Sequence, residues 1–409
     1  MSHRILRRIG AACICALILP AEASMAPWQE RWLTALRQLP AVMAADAQRS
    51  ADYSRSRAQR QAVYNPVLSA DYEREGQQRN FSVGVSQTLD IWDQRKLRQQ
   101  QAALQDQRAE SRYFDALNTS LYQQLSKLLR QRSLQQQAAL AGEYAQQLRE
   151  MTKLLSQRRR QGDLGEIDWQ LATQSLRSAL ADNSEVIVEL GRVTAQLDEQ
   201  LPNWQQLPEL PDHFWATASL YSIDRHPQLV AAKLDWRIAE QQVALVRNSN
   251  RSEPTVGLSA GQAGDDDVVG LNLSLPLQVR RRYGDDVAAA RQSALSVEAH
   301  YRDLRRDLQG KRNAAAAARQ ALLSQQTMPA ETPRPAPPAA QLLYKQWRLG
   351  DVSTLDYLRS LALLNEGQQA QLKLQRQLQQ AQLEELFYSA QLLSRLGVMS
   401  TTTTGSQQP

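Results

Sequence analysis

The chain has 409 residues, with 48 Lys and Arg against 42 Asp and Glu, for a net charge of +6. Two cysteines, Cys13 and Cys15, and four scattered histidines with no i,i+4 pair exclude a disulfide framework, a thiolate metal site and a histidine zinc site. Bases and acids interleave instead of clustering, which argues against nucleic-acid binding, and no Gly-rich phosphate loop, nucleophile elbow or paired catalytic acid marks an enzyme or a cofactor site.

The first element is a targeting segment. Arg4, Arg7 and Arg8 precede an apolar run at 9–19, and Ala21-Glu22-Ala23 offers a small-x-small cleavage site, with Ser24-Met25-Ala26 as an alternative. The run is too short to span a bilayer, so residues 1–23 read as a secretory signal peptide. Both cysteines fall inside it, and neither follows a lipidation motif.

Beyond the signal the chain is written twice. Arg160-Gln161-Gly162-Asp163-Leu164-Gly165-Glu166-Ile167-Asp168-Trp169 returns as Arg348-Leu349-Gly350-Asp351-Val352-Ser353-Thr354-Leu355-Asp356-Tyr357, at an offset of 188. The same offset joins Pro66 to Pro254, Gly76 to Gly264, Ser86 to Ser274 and Leu89 to Leu277. A constant offset over about a hundred residues defines two repeats, 24–215 and 216–397, followed by a polar tail at 398–409 expected to be disordered. Each repeat is expected to hold a helix, two strands and two very long helices that meet at the Gly-Asp phrase.

Strands are expected over about 66–90 and 254–278. Leu68, Ala70 and Tyr72 alternate with Ser69, Asp71 and Glu73, and Phe81, Val83 and Val85 with Ser82, Gly84 and Ser86. Val256, Leu258 and Ala260, then Val269, Leu271 and Leu273, repeat the rhythm. Period two gives each strand one apolar face and one polar or small face. Residues 76–79 and 261–267 read as the hairpin connections. Within the second, Asp265-Asp266-Asp267 reads as a solvated acidic loop, with cation binding as the other reading.

Long helices are expected over about 92–200 and 283–397. Residues 92–161 contain no proline and one glycine, Gly142. Phe114, Leu117, Leu121, Leu125 and Leu128, then Leu140, Tyr144, Leu148, Met151 and Leu155, form one narrow coiled-coil-like stripe. At 1.5 Å per residue such a helix reaches on the order of 100 Å. The dense prolines of 328–338 interrupt the second run, because proline cannot continue a helix.

No later segment has 18 consecutive apolar residues, so a spanning helix is not expected. An exported chain with amphipathic strands suggests an outer-membrane β-barrel. Four strands cannot close one, since the smallest have about eight, and open edges in lipid leave backbone groups unpaired. The barrel must be shared with copies of the chain. Trp92, Tyr64 and Tyr283, with Arg280, Arg281 and Arg282, then read as an interfacial rim against headgroups, a solvated charge run being the bland reading of the arginines.

At the Gly-Asp phrases, Gly162 and Gly350 supply helix stops, and Arg158, Arg159 and Arg160 suit a helix C-terminus. Asp163 and Asp351 read as N-caps of the returning helices, Asp163 with Glu166 as a capping box. Asp168 and Asp356 lie in a first helical turn, where an acid is favoured by the dipole alone.

The duplication, the Pro-led strands at Asn65-Pro66-Val67 and Glu253-Pro254-Thr255, the two Gly-Asp phrases and His226-Pro227-Gln228-Leu229-Val230-Ala231-Ala232 resemble the outer-membrane efflux (TolC) family over nearly the whole mature chain. The short length and absent lipid site resemble its heavy-metal cation branch. The resemblance implies a mainly α fold with a β-barrel portion: a homotrimer with a twelve-stranded outer-membrane barrel on a long periplasmic α-helical barrel. It implies a passive duct, not an enzyme, fed by a periplasmic adaptor and a proton-driven inner-membrane transporter. The tip turns at Gly162, Asp163, Asp168, Gly350 and Asp351 would receive adaptor hairpins. In the family an acid at the Asp356 position lines the closed tip with a second acid one turn later, where this chain has Arg359. An aromatic tie can stand at Trp347, which as readily packs between helices. A family-like reading sets 328–338 in an equatorial belt; a plain linker is the other. The same architecture serves protein secretion, the first alternative; a structural periplasmic coiled coil is the second.

Overall fold

In the computed structural model the described residues are 25–162, 165–216, 222–277, 283–326 and 339–398. In chain order they form α1 (Pro27–Arg37), α2 (Pro40–Gln59), β1 (Val67–Glu75), β2 (Gln78–Thr88), α3 (Gln94–Arg160), α4 (Glu166–Gln200) and the short α5 (Asp212–Trp215). The second half follows as α6 (Pro227–Ser249), β3 (Thr255–Ala263), β4 (Asp266–Ser274), α7 (Gly284–Gln326), α8 (Ala339–Leu349), α9 (Thr354–Tyr388) and α10 (Leu392–Arg395). The expected signal peptide, the proline segment 328–338 and residues 399–409 lie outside the described residues. Val398, at the head of the expected tail, packs against the core.

The repeat is visible in the element bounds. Helices α4 and α9 are both 35 residues long, and β1 and β3 are both nine, each pair at the offset of 188. Gly76 and Gly264 turn the hairpins at φ 63° and 64°, and Gly162 and Gly350 stop α3 and α8 at φ 84° and 87°. These are left-handed values that only glycine adopts without strain.

Helix α3 runs 67 residues without a break, about 100 Å at 1.5 Å per residue. Its start is held by Asp90, whose carboxylate accepts from the Gln94 and Arg95 backbone N–H groups at 2.8 and 2.7 Å. The apolar stripe buries in two places. Tyr113, Leu117, Leu121, Leu125 and Leu129 join Trp32, Leu33 and Leu36 of α1, Phe214 of α5 and Leu383 and Leu386 of α9 in one core. Leu148, Met151 and Leu155 join Ala172, Ala179, Trp347, Tyr357, Leu358 and Leu361 in another, at the Gly-Asp end. A long narrow seam thus holds both repeats together through apolar burial, which stabilises by about 1.5–3 kcal/mol per large side chain. Polar ties supplement it: Asp235 of α6 pairs with Arg108 and Arg112 of α3 at 3.1 and 3.0 Å.

The two hairpins form one antiparallel sheet in the order β1-β2-β3-β4. Its connections are tighter than the sequence suggests. Strand pairing continues to Glu75↔Gln78 and Ala263↔Asp266, so the turns are Gly76-Gln77 and Gly264-Asp265. Asp266 and Asp267 belong to β4, not to a loop, because glycine at a positive φ permits a two-residue turn. Among the described residues no cluster of metal-binding side chains forms.

Candidate functional site: the sheet faces and the helical tip

The sheet register brings like side chains together. Leu68↔Val85, Val85↔Leu258 and Leu258↔Leu271 form one row across all four strands. Ala70, Val83, Ala260 and Val269 form the next. The opposite face carries Ser69, Gly84, Ser259 and Gly270, with Ser86, Gly257 and Asn272 alongside. A one-residue slip in any strand would mix these faces, so the pattern fixes the register. Glycine is needed where the strands approach most closely: a Cβ on Gly261 would lie 1.9 Å from the Phe81 carbonyl oxygen. The apolar face is bare: Leu68 is 73% exposed, Leu271 76%, Leu273 71% and Val269 82%. No helix of the described residues is long and apolar enough to cross a membrane.

At the junction of sheet and helices, two of the rim residues read from sequence are built into a lock. The Trp92 indole N–H donates to the Ser252 carbonyl at 2.9 Å, the Asn248 amide donates to the Trp92 carbonyl at 2.8 Å, and the Arg251 guanidinium sits 4.5 Å from the Trp92 ring centre. Gln94 donates to the buried Glu253 carboxylate at 2.8 Å. Burial, and then hydrogen bonding to Glu253, push the nearby Tyr64 phenol up. The Leu89 N–H donates to the Pro254 carbonyl at 2.9 Å, tying the exit of one hairpin to the entry of the other. Sequence reading missed Gln94, Asn248 and Glu253, since nothing local distinguishes them from other helix-end polar residues. Tyr283 stands just before α7, and its carbonyl accepts from Val287 at 3.2 Å. Arg280, Arg281 and Arg282 lie outside the described residues.

At the far end, Gly350 and Asp351 close α8. The Gly350 N–H donates to Trp347 at 3.2 Å and the Asp351 N–H to Gln346 at 3.0 Å, the paired bonds of a Schellman turn. Gly162 donates to Arg159 at 3.1 Å in the same way. The caps of the returning helices differ from expectation. Ser353, not Asp351, caps α9: its hydroxyl accepts from the Asp356 N–H at 3.1 Å and donates to the Asp356 carboxylate at 2.6 Å. The signal was present as Ser353-x-x-Asp356, a capping-box spacing. Helix α4 is capped by Gly165 with no side-chain bond, which places Glu166 at the first helical position and removes the Asp163–Glu166 box. Asp163 itself lies outside the described residues. Asp351 lies in the turn that closes α8, two residues before the Ser353 cap.

Around these turns Trp347 is 2% exposed, stacks on Tyr357 at 5.0 Å between ring centres and donates to the Thr354 hydroxyl at 3.3 Å. Burial pushes the Tyr357 phenol up to about 12. The Arg158 guanidinium lies 5.4 Å from the Trp347 ring centre, so a residue of the first repeat covers one of the second. Asp356 and Arg359 are exposed, and among the described residues no ion pair joins them. Asp168 is half-buried in the first turn of α4.

No family model matches the chain, and no curated protein is similar to it. Solved structures are. A membrane protein from Pseudomonas aeruginosa shares the fold with a TM-score of 0.72 at 17% identity, covering 89% of this chain and 90% of that one. CusC, described with transmembrane channel formation, gives 0.69 at 14% identity, covering 88% and 92%. The outer membrane protein VceC from Vibrio cholerae gives 0.68 at 16%, covering 90% and 96%. CusC, VceC and further similar structures are outer-membrane efflux channels of the TolC family, and the likeness does not single out a heavy-metal branch. The chain has the fold of these channels.

Proposed function

We propose that the protein is the outer-membrane duct of a tripartite efflux system, conducting metal cations or small toxic compounds passively to the exterior. The observation that carries this reading is the bare apolar face of a four-stranded sheet whose β1 and β4 edges are both unpaired. Exposed apolar rows of that extent belong against lipid, and open edges there cost several kcal/mol per unpaired group. Three copies pairing β4 to β1 would close twelve strands. The apolar rows would then face the bilayer, the Ser- and Gly-rich face the lumen, and α3, α4 and α7–α9 a periplasmic helical barrel.

In this arrangement the helix stops at Gly162 and Gly350 stand at the periplasmic tip, where a periplasmic adaptor would dock its helical hairpins. Asp356 would face the closing pore. An inner-membrane transporter, proton-driven, would supply the energy, since the duct has no chemistry of its own. Trp92, Tyr64, Tyr283 and Arg280, Arg281 and Arg282 would mark the periplasmic rim of the barrel. The two repeats, 24–215 and 216–397, would follow the signal peptide 1–23. The test is twofold: native mass spectrometry of detergent-extracted protein, expected to show three copies, and efflux of a metal and drug panel by a deletion strain, expected to fall. A monodisperse monomer that needs no detergent would overturn the reading.

A further inference from the structure

The charges of the sheet sort by face near its two turns. Asp71, Glu73 and Asp266 lie on the polar face, in register with Ser82, Asn80 and Ala263 respectively. Arg74 and Arg79 lie on the apolar face, directly opposite each other on β1 and β2. The row beneath them on that face is Tyr72↔Phe81, 65% and 51% exposed. Two residues along a strand is about 7 Å, so the aromatic pair sits roughly that far below the arginine pair. Further down come the aliphatic rows.

Like charges directly opposite on neighbouring strands destabilise a sheet. Both arginines are exposed, and among the described side chains, which do not include that of Glu75, neither has an acidic partner. The Arg74 Nε donates to the Gly76 carbonyl at 3.3 Å, a bond that does not use its terminal N–H groups. Asp267 shares the apolar face but stands on β4, two strands from Arg79, and accepts from Gln262 at 3.2 Å. An anion seated between the two guanidinium groups would turn this repulsion into paired charge-assisted bonds. The sequence aliphatic, aromatic, cationic along one face is the order met on leaving hydrocarbon for an anionic headgroup layer.

We propose that Arg74 and Arg79 form a clamp for the phosphorylated headgroups of the lipid leaflet around the exit end of the sheet. This rests on the outer-membrane reading above. The occupant is lipid-borne phosphate because the pair stands directly above an exposed apolar surface that only an acyl chain would cover. Three copies would carry three clamps, while the acids of the opposite face remain in the lumen.

The experiment uses full-length protein extracted in neutral detergent, with native mass spectrometry of bound diphosphorylated lipid A and of its dephosphorylated form. Wild type should retain the diphosphorylated lipid roughly tenfold better than the Arg74→Gln, Arg79→Gln double variant. The Arg74→Lys, Arg79→Lys variant should recover most of the retention, and Arg306→Gln should match wild type. Equal retention by wild type and the Gln double variant, or undiminished binding of dephosphorylated lipid, would overturn the clamp. Displacement of the lipid by millimolar inorganic phosphate would overturn it in favour of a soluble-anion site. Protein that inserts into membranes yet shows equal retention sinks the clamp alone, whereas protein that stays soluble without detergent sinks the duct.

Discussion

Arg159 of the first repeat and Trp347 of the second stand at equivalent positions and make equivalent contacts with different chemistry. The Arg159 guanidinium lies 5.4 Å from the ring centre of Trp169, and Trp347 stacks at 5.0 Å on Tyr357, the counterpart of Trp169. Arg159 pairs with Glu166 at 2.9 Å, and Trp347 donates to Thr354, the counterpart of Glu166, at 3.3 Å. Both helices stop at a glycine of positive φ, but the Trp347 contact is buried, at 2% exposure, and the Arg159 contact is open to solvent. The Arg159–Glu166 pair is 45% and 54% exposed, so it is worth at most about 1 kcal/mol. Trp347→Ala should therefore destabilise by about 3–5 kcal/mol, through a cavity beside Tyr357. Arg159→Ala should cost about 1 kcal/mol or less. Denaturant melts of the two variants check this, and equal losses would refute the difference between the tips.

The Schellman turn at Gly350 makes a second prediction. Gly350→Val forces a β-branched residue to φ 87°, at a cost of about 1–3 kcal/mol, although a Cβ there meets no atom within 4 Å. The strain is local to the tip and far from the sheet. Outer-membrane assembly should persist while efflux falls. Normal efflux from a fully assembled variant would reduce Gly350 to ordinary chain geometry.

Ser353 and Asp356 separate capping from gating. Ser353→Ala removes the cap and should lower stability by about 1 kcal/mol without altering conductance. Asp356→Ala should cost a similar amount and also raise ion leak through the isolated duct in a planar bilayer. If both variants leave single-channel conductance unchanged, Asp356 is a capping residue.

The sheet faces predict an asymmetry. Leu271→Arg and Val83→Arg, on the exposed apolar face, should each cost about 2–4 kcal/mol of membrane assembly near the bilayer midplane. Asn272→Arg, on the other face, should cost much less and should change ion selectivity instead. Heat-resistant oligomer on a gel reads out the first effect and reversal potential the second. Matching losses from both faces would contradict the lumen assignment.

Two buried groups in the helical part give opposed pH dependences. Burial lowers His226 to about 4 from 6.5, and its ring packs edge-on against Phe387 at 5.6 Å. The folded state binds fewer protons there, so this stability is complete above about pH 6.5 and is lost as pH falls toward 4. Burial raises Asp115 to about 6 from 3.8, so its folded state binds more protons and loses stability as pH rises through that window. Each effect is on the order of 3 kcal/mol and they nearly cancel. Wild-type stability should be almost flat from pH 4 to 6. Asp115→Asn should unmask the histidine and make stability fall with acidification; a flat profile for that variant would show that His226 does not carry the shift.

The sequence by itself determined the repeat, the strand faces, the long helices and the glycine stops. Each rests on local periodicity or on a backbone conformation that one residue type adopts, as at Gly162 and Gly350. The turn lengths were less legible, because whether residues 261–263 pair depends on the partner strand and not on their own composition. The caps at Ser353 and Gly165 sit later than Asp351 and Asp163, because a capping residue is legible only once the start of its helix is known. Only the tertiary structure decided that Arg158 of one repeat covers Trp347 of the other, that Gln94 meets Glu253 across the junction, and that Arg74 faces Arg79. These contacts join residues far apart in the chain or in separate strands, and what brings them together is the register of the sheet and the seam along α3, which no local pattern encodes.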